Sequence, residues 1–89
     1  MRYSLTIDHD DTSSIWPALE EFNNRVYKRR DHAKYALEYA IYEAVKGRSL
    51  LDKPAGRKAQ VWASNVEIDK TSCVEYVFVG LTFRMKASR

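Results

Sequence analysis

Apolar and polar side chains alternate along residues 2–7. The apolar members of this segment are Tyr3, Leu5 and Ile7. A period of two predicts a strand with one buried face. A polar segment follows over residues 8–14 and is rich in the residue types that favour the start of a helix. Apolar residues then recur at spacings of four, three and four, which predicts an amphipathic helix from about Ser14 onward. This stripe consists of Ile15, Leu19, Phe22 and Val26.

Residues 32–46 predict a second helix with two different faces. Small and aliphatic residues form the expected core face, and they are Ala33, Ala36, Leu37, Ala40, Ile41 and Ala44. The opposite face carries a tyrosine row at i, i+4 and i+7, formed by Tyr35, Tyr39 and Tyr42. We expect a break near residues 28–31, because a single helix over residues 14–46 would be about 50 Å long. A continuous helix is the alternative, since no glycine or proline interrupts residues 26–44.

The C-terminal half predicts a loop followed by two strands. Residues 48–59 contain Pro54 and Gly56 and are expected to form an exposed loop. Residues 60–68 and 73–86 are expected to be strands that form a hairpin through a polar turn. The predicted order is therefore β-α-α-β-β. It indicates one α+β domain over residues 1–89, an antiparallel sheet of about three strands with one or two helices packed on one face.

The composition is that of an ordinary globular protein. Of the 89 residues, 45% are hydrophobic and 30% are charged, which argues against disorder. Apolar runs such as residues 77–79 are far too short to span a membrane. Cys73 is the single cysteine, so the chain cannot form an internal disulfide, and we expect a cytoplasmic location.

Candidate catalytic and metal-binding residues are few. The cluster Asp8-His9-Asp10-Asp11 contains oxygen ligands suited to Mg²⁺ or Mn²⁺. We interpret it as a solvated turn, because consecutive side chains point in different directions and acids favour the start of the following helix. Two histidines and one cysteine do not make up a zinc site. No serine or glycine motif indicates a nucleophile or a phosphate loop. We therefore predict no enzyme activity, no metal and no cofactor.

The tyrosine row is the leading candidate for function. Each ring would bury on the order of 150–250 Å² if it were covered. The cover is expected to come either from the first helix, through Trp16, Phe22 or Tyr27, or from a larger protein or a second copy. We favour a non-enzymatic protein-binding module, a small inhibitor or regulator of the phage or mobile-element kind that docks onto a larger protein or nucleic-acid-processing complex. The expected basic rim of the row is Lys28, Arg29, Arg30 and Lys46.

Nucleic-acid binding is the alternative function. Residues 25–58 form a basic block with ten lysines and arginines and four carboxylates, whereas the net charge of the whole chain is +3. Basic side chains contact phosphates and give an affinity that depends on salt. The candidate contacts are Arg29, Arg30, Arg48, Arg57 and Lys58.

The order of one strand and two helices over residues 2–46 also resembles the ribbon-helix-helix DNA-binding family. The polar strand residues Arg2, Ser4 and Thr6 carry this resemblance. It implies an intertwined dimer in which those side chains read the major groove. The acidic segment 8–14, the lack of a glycine between the helices and the C-terminal hairpin depart from the family pattern. We keep this resemblance as an alternative.

Overall fold

The computed structural model describes residues 1–9, 15–69, 73–78 and 80–88. Its elements follow the chain in the order β1 (Arg2–His9), α1 (Trp16–Glu20), β2 (Arg25–Tyr27), α2 (Arg30–Gly47), α3 (Pro54–Asn65), β3 (Cys73–Phe78) and β4 (Leu81–Ser88). The α+β class and the small antiparallel sheet are confirmed. The predicted number of elements is wrong, because the described residues form four strands and three helices.

The strands form one antiparallel sheet in the order β2-β1-β4-β3. The long central pair, β1 with β4, places Leu5 opposite Met85 and Ile7 opposite Phe83. All four side chains are buried. They form the sheet side of the hydrophobic core, and the helices cover this face.

The opposite face of the sheet is open to solvent. On it, Arg84 of β4 makes ion pairs with Asp8 of β1 at 3.2 Å and with Glu75 of β3 at 2.9 Å. The hydrogen bond from Arg84 to Glu75 is the main reason that the pKa of this guanidinium is raised. Water screens these exposed pairs, so they add little to stability.

The core face predicted for the second helix is confirmed. The buried residues of α2 are Ala33, Ala36, Leu37, Ala40, Ile41, Ala44 and Val45. The alanines leave room for the helix backbone to approach the sheet. Leu37 and Ile41 are fully buried, and the burial of such a side chain contributes about 1.5–3 kcal/mol.

The first helix is shorter than predicted. Ile15 and Leu19 are buried as expected, but α1 ends at Glu20 and the chain turns through Asn24, whose φ is 59°. Val26 then lies in β2, opposite Ser4 of β1. Asparagine tolerates this left-handed backbone better than most residues. The helical spacing of the apolar residues over 15–26 gave no sign of the turn. The break predicted near residues 28–31 is confirmed, because α2 begins at Arg30.

Residues 54–65 form α3, so the predicted loop and strand in this region are wrong. Pro54 lies in the first turn of the helix, where its missing N–H leaves no bond unmade. Gly56, Ala59 and Ala63 follow at spacings of three and four and are buried. A Cβ atom at Gly56 would lie 2.0 Å from the carbonyl oxygen of Leu50. Proline and glycine are typical of loops, but here one begins a helix and the other permits its close packing.

The observed hairpin lies within the segment predicted as one strand. β3 and β4 pair with Phe78 opposite Leu81, and Gly80 in their connection has a φ of 81°. This conformation favours glycine. The reversal places the apolar residues of both strands on the core face, which leaves Val77 on the open face. Most of the predicted turn, residues 70–72, lies outside the described residues.

α3 runs antiparallel to α2 and is attached to it near both ends. Near the start of α2, Lys34 Nζ donates hydrogen bonds to the main-chain oxygens of Ser64 at 3.0 Å and Val66 at 2.8 Å. This ammonium group also suits the negative end of the α3 dipole. At the other end, the buried Gly56 lies against Val45. The ring of Trp62 stacks on Tyr76 of β3, with 4.7 Å between their centroids, so α3 also contacts the sheet.

We expect Gly56→Ala to lower the free energy of unfolding by about 1–3 kcal/mol, the usual cost of overpacking. The new methyl group would meet a main-chain carbonyl, which cannot rotate away as a side chain can. Lys58→Ala, an exposed change on the same helix, should alter it by less than about 0.5 kcal/mol. Urea denaturation measures both values. Wild-type stability of the Gly56→Ala variant would contradict the close approach to Leu50.

Lys34→Met should lower the free energy of unfolding by about 1–2 kcal/mol, because it removes two charge-assisted hydrogen bonds to the end of α3. Lys46→Met on the same helix is the matched control, since this exposed lysine makes no ion pair with any described residue. Urea denaturation of both variants gives the comparison. If both variants lose the same free energy of unfolding, the loss comes from removing a positive charge and not from the two hydrogen bonds of Lys34.

Alkaline pH should destabilise the protein in part through Tyr27. Burial raises the pKa of its hydroxyl above the usual value, although the charge of Arg25 opposes the change. The stabilisation is present below the pKa of the unfolded chain and is lost as pH rises through the higher pKa of the folded state. Between about pH 9.5 and 11.5, the Tm of the wild-type protein should therefore fall more steeply than that of Tyr27→Phe. Thermal unfolding followed by circular dichroism measures both curves, and parallel curves would refute this role.

Candidate functional site

The tyrosine row of α2 faces away from the sheet and is exposed. Tyr35 exposes 66% of its surface, Tyr39 42% and Tyr42 40%. The packing of the opposite face of α2 on the sheet forces this orientation, because the two sets of residues lie on opposite sides of one helix. The described part of the chain therefore leaves the row largely uncovered.

The three rings contact one another along the helix. The centroids of Tyr35 and Tyr39 lie 5.9 Å apart, and those of Tyr39 and Tyr42 lie 6.3 Å apart. Phe22, from the turn after α1, approaches Tyr39 to 5.8 Å. These are ordinary separations for interacting aromatic rings. Tyr39 is thus the centre of the row, supported on three sides.

The first helix does not provide the predicted cover. Of the three residues expected to provide it, only Phe22 is seen to contact the row through its ring. The ring of Trp16 packs against His9, with centroids 4.2 Å apart. Tyr27 lies in the edge strand β2, opposite Tyr3 of β1. These positions follow from the early end of α1, which turns the chain back to the sheet before it can cross α2.

A groove of about 460 Å³ lies between α2 and α3. Its α2 wall consists of the tyrosine row and Glu38, and its α3 wall consists of Gln60, Val61 and Ser64. Val61 exposes 59% of its surface, so the second wall also has apolar area in contact with water. The sequence pattern did not reveal this wall, because it predicts a strand over residues 60–68 where the chain forms α3. The helical spacing of positions 57, 60, 61 and 64 is the signal that could have found it.

The predicted basic rim does not form one cluster. Lys28, Arg29 and Arg30 lie at the start of α2, and Lys46 lies in its last turn. The 16 residues from Arg30 to Lys46 span about 24 Å of helix. At the first end, Arg29 pairs with Asp31 at 3.6 Å and Arg30 pairs with Asp69 at 3.1 Å. The structure therefore places the charges at opposite ends of the tyrosine row rather than around it.

The candidate nucleic-acid contacts divide in the same way. Arg29 and Arg30 lie at the start of α2, whereas the other three candidates lie beyond its end, in the loop and the first turns of α3: Arg48, Arg57 and Lys58. The basic block is thus continuous in sequence but not as one surface. Nucleic-acid binding by these residues stays a prediction.

The structure also argues against an intertwined ribbon-helix-helix dimer. Such a dimer needs a first strand that is free to pair with its copy. β1 already has β2 on one side and β4 on the other. Its polar residues Arg2, Ser4 and Thr6 face solvent within a four-stranded sheet.

The end of the groove near the α2–α3 loop is basic. Lys46 follows Tyr42 by four residues, and Arg57 precedes Val61 by four, so both continue the lines of residues that form the walls. Lys53 stands immediately before α3. Among the described residues, none of these three cations makes an ion pair. Arg57 donates a hydrogen bond to the main-chain oxygen of Asp52 at 3.0 Å, which positions the guanidinium without neutralising its charge.

The acidic cluster near the end of β1 is described only in part. Asp8 is paired with Arg84, His9 packs against Trp16, and Asp10 and Asp11 lie outside the described residues. Within the described ranges, no three histidine, cysteine, aspartate or glutamate side chains are arranged to hold a metal ion. None of the described helices has the length and apolar character needed to cross a membrane.

No family model, curated protein or solved structure matches this chain.

Proposed function

We propose that this protein is a non-enzymatic binding module that docks onto a larger protein through the groove between α2 and α3, and that it acts there as a small inhibitor or regulator. The observation that supports this proposal is the exposed tyrosine row along one wall of the groove. Tyrosine is enriched at the centres of protein interfaces, where its ring is buried and its hydroxyl reaches a polar edge.

The row is suited to binding because it is ordered before a partner arrives. Its rings contact one another, and Phe22 supports the central ring. The helix that carries them has its other face buried in the core. Binding then costs little side-chain entropy, since a tyrosine ring has only two rotatable bonds to order.

The composition of the groove surface also suits a protein partner. Three tyrosines and Val61 form an apolar strip on a shallow, open surface. Polar side chains also line the groove, namely Glu38, Gln60 and Ser64. A mixture of apolar area and hydrogen-bonding groups is the usual composition of a protein interface.

We expect Tyr39→Ala to weaken partner binding by about 2 kcal/mol or more, a loss of about thirtyfold in affinity, because Tyr39 is the central ring of the row. The variant should remain folded with a modest fall in the melting temperature, because 42% of Tyr39 is exposed, although its ring also packs against Phe22 and its neighbours in the row. The partner would be isolated with the tagged wild-type protein from the cells that produce it. Its affinity for each purified variant would then be measured by isothermal titration calorimetry.

Val77→Ala is the matched control. Val77 exposes 67% of its surface but lies on the open face of the sheet, away from the groove. This variant should bind the partner as the wild-type protein does. The proposal is wrong if Tyr39→Ala binds normally, or if its main effect is a large fall in the melting temperature.

A further inference from the structure

We infer that the occupant of the groove is an amphipathic helix of the partner, with apolar side chains along one face and carboxylates at the end that lies over Lys46, Lys53 and Arg57. This inference rests on the proposed function and names the chemistry of its partner.

The length and spacing of the groove favour a helical occupant. Seven residues separate Tyr35 from Tyr42, which corresponds to about 10.5 Å along α2, or two helical turns. A helix lying along the groove presents apolar side chains at i, i+3 or i+4, and i+7 over the same distance. Each tyrosine of the row can therefore contact one turn of the bound helix.

The backbone chemistry of the walls favours a helical occupant over an extended one. An extended peptide needs partners for its N–H and C=O groups when it is buried. Both walls of the groove are helices, whose main-chain groups bond within the helix, so the groove offers side chains only. A helix satisfies its own backbone and can bury its apolar face without such partners.

The cations at one end of the groove predict that the occupant carries carboxylates there. Lys46, Lys53 and Arg57 lie toward the same end of the groove because α2 and α3 are antiparallel, and no described carboxylate pairs with them. At the other end, Asp31 continues the line of the tyrosine row and is engaged by Arg29 at 3.6 Å. Carboxylates thus pair with Arg29 and Arg30 at this end of the groove, whereas the three cations at the first end have no such partner among the described residues. Complementary charge on the partner would lie over the basic end.

The experiment is a selection that assumes no partner. A phage-displayed library of Ala/Gln-based helical peptides of about 18 residues, with one face and both ends randomised, would be selected on the full-length protein. We expect enrichment of apolar residues at i, i+3 or i+4, and i+7, with aspartate and glutamate clustered at one end. Enriched peptides would then be synthesised, and their affinities measured by fluorescence anisotropy.

Three variants identify the contacts. The charge reversal Lys46→Glu with Arg57→Glu should weaken the acidic peptides at least about tenfold. The reversal Lys28→Glu with Arg29→Glu changes the net charge by the same amount at the other end of α2, and it should leave the affinity within about twofold. The double variant Tyr39→Ala with Tyr42→Ala should abolish binding. Circular dichroism and melting temperatures establish that each variant is folded, and Tyr35→Ala replaces the double variant if that does not fold.

The outcomes separate this inference from the proposed function. Enriched peptides that need the tyrosines but show no acidic preference, or that are indifferent to both charge reversals, overturn the acidic partner and leave the docking groove in place. Because the library holds helical peptides only, an absence of peptides that depend on the tyrosines overturns the helical occupant. The proposed function fails separately, when the captured partner binds Tyr39→Ala as it binds the wild-type protein. A wild-type dimer in light scattering that Tyr39→Ala dissociates identifies a second copy as the occupant and overturns the inference.

Discussion

The alanine, leucine and isoleucine face of α2 packs on the sheet, and the positions of the other functional elements depend on this contact. Its fully buried residues meet the central pair of strands, where Leu5, Ile7, Phe83 and Met85 supply the opposing surface. Small residues make up most of that face, which allows the helix backbone to approach the sheet. The same contact determines that the tyrosines on the other side point outward.

The groove itself depends on a second close approach, that of α3 to the end of α2. Gly56 allows the start of α3 to lie against the carbonyl of Leu50. Lys34 donates hydrogen bonds to the main-chain oxygens of Ser64, in the last turn of α3, and of Val66, just after the helix. Trp62 stacks on Tyr76 of the sheet. These contacts hold α3 beside the tyrosine row rather than across it. The row thus becomes one wall of a groove, with the apolar area of Val61 on the other.

The distribution of charge follows from the same antiparallel pairing. Cations that are separated in sequence, Lys46 in α2 and Arg57 in α3, are brought to one end of the groove. At the start of α2, Arg29 pairs with Asp31 and Arg30 pairs with Asp69. A block that is continuous in sequence therefore contributes cations to two separate ends of the groove, and these two ion pairs lie at one of them.

The sequence by itself determined the elements whose pattern is local. The alternation of residues 2–7 predicts β1, and the spacing of Ala33 to Ala44 predicts both faces of α2, because each depends only on the period of one helix or strand. Three features were decided by tertiary structure. The early end of α1 and the strand β2 depend on pairing with β1, and β3 turns back at Gly80 to pair with β4. The proline and glycine of α3 are signals of a loop until the neighbouring carbonyl of Leu50 shows why glycine is needed there. The tyrosine row could thus be found from the sequence, and helical spacing could also have indicated the face of α3 that forms the second wall. The position of that wall beside the row, and the basic end of the groove, could not be found, since they arise from contacts between residues far apart in the chain.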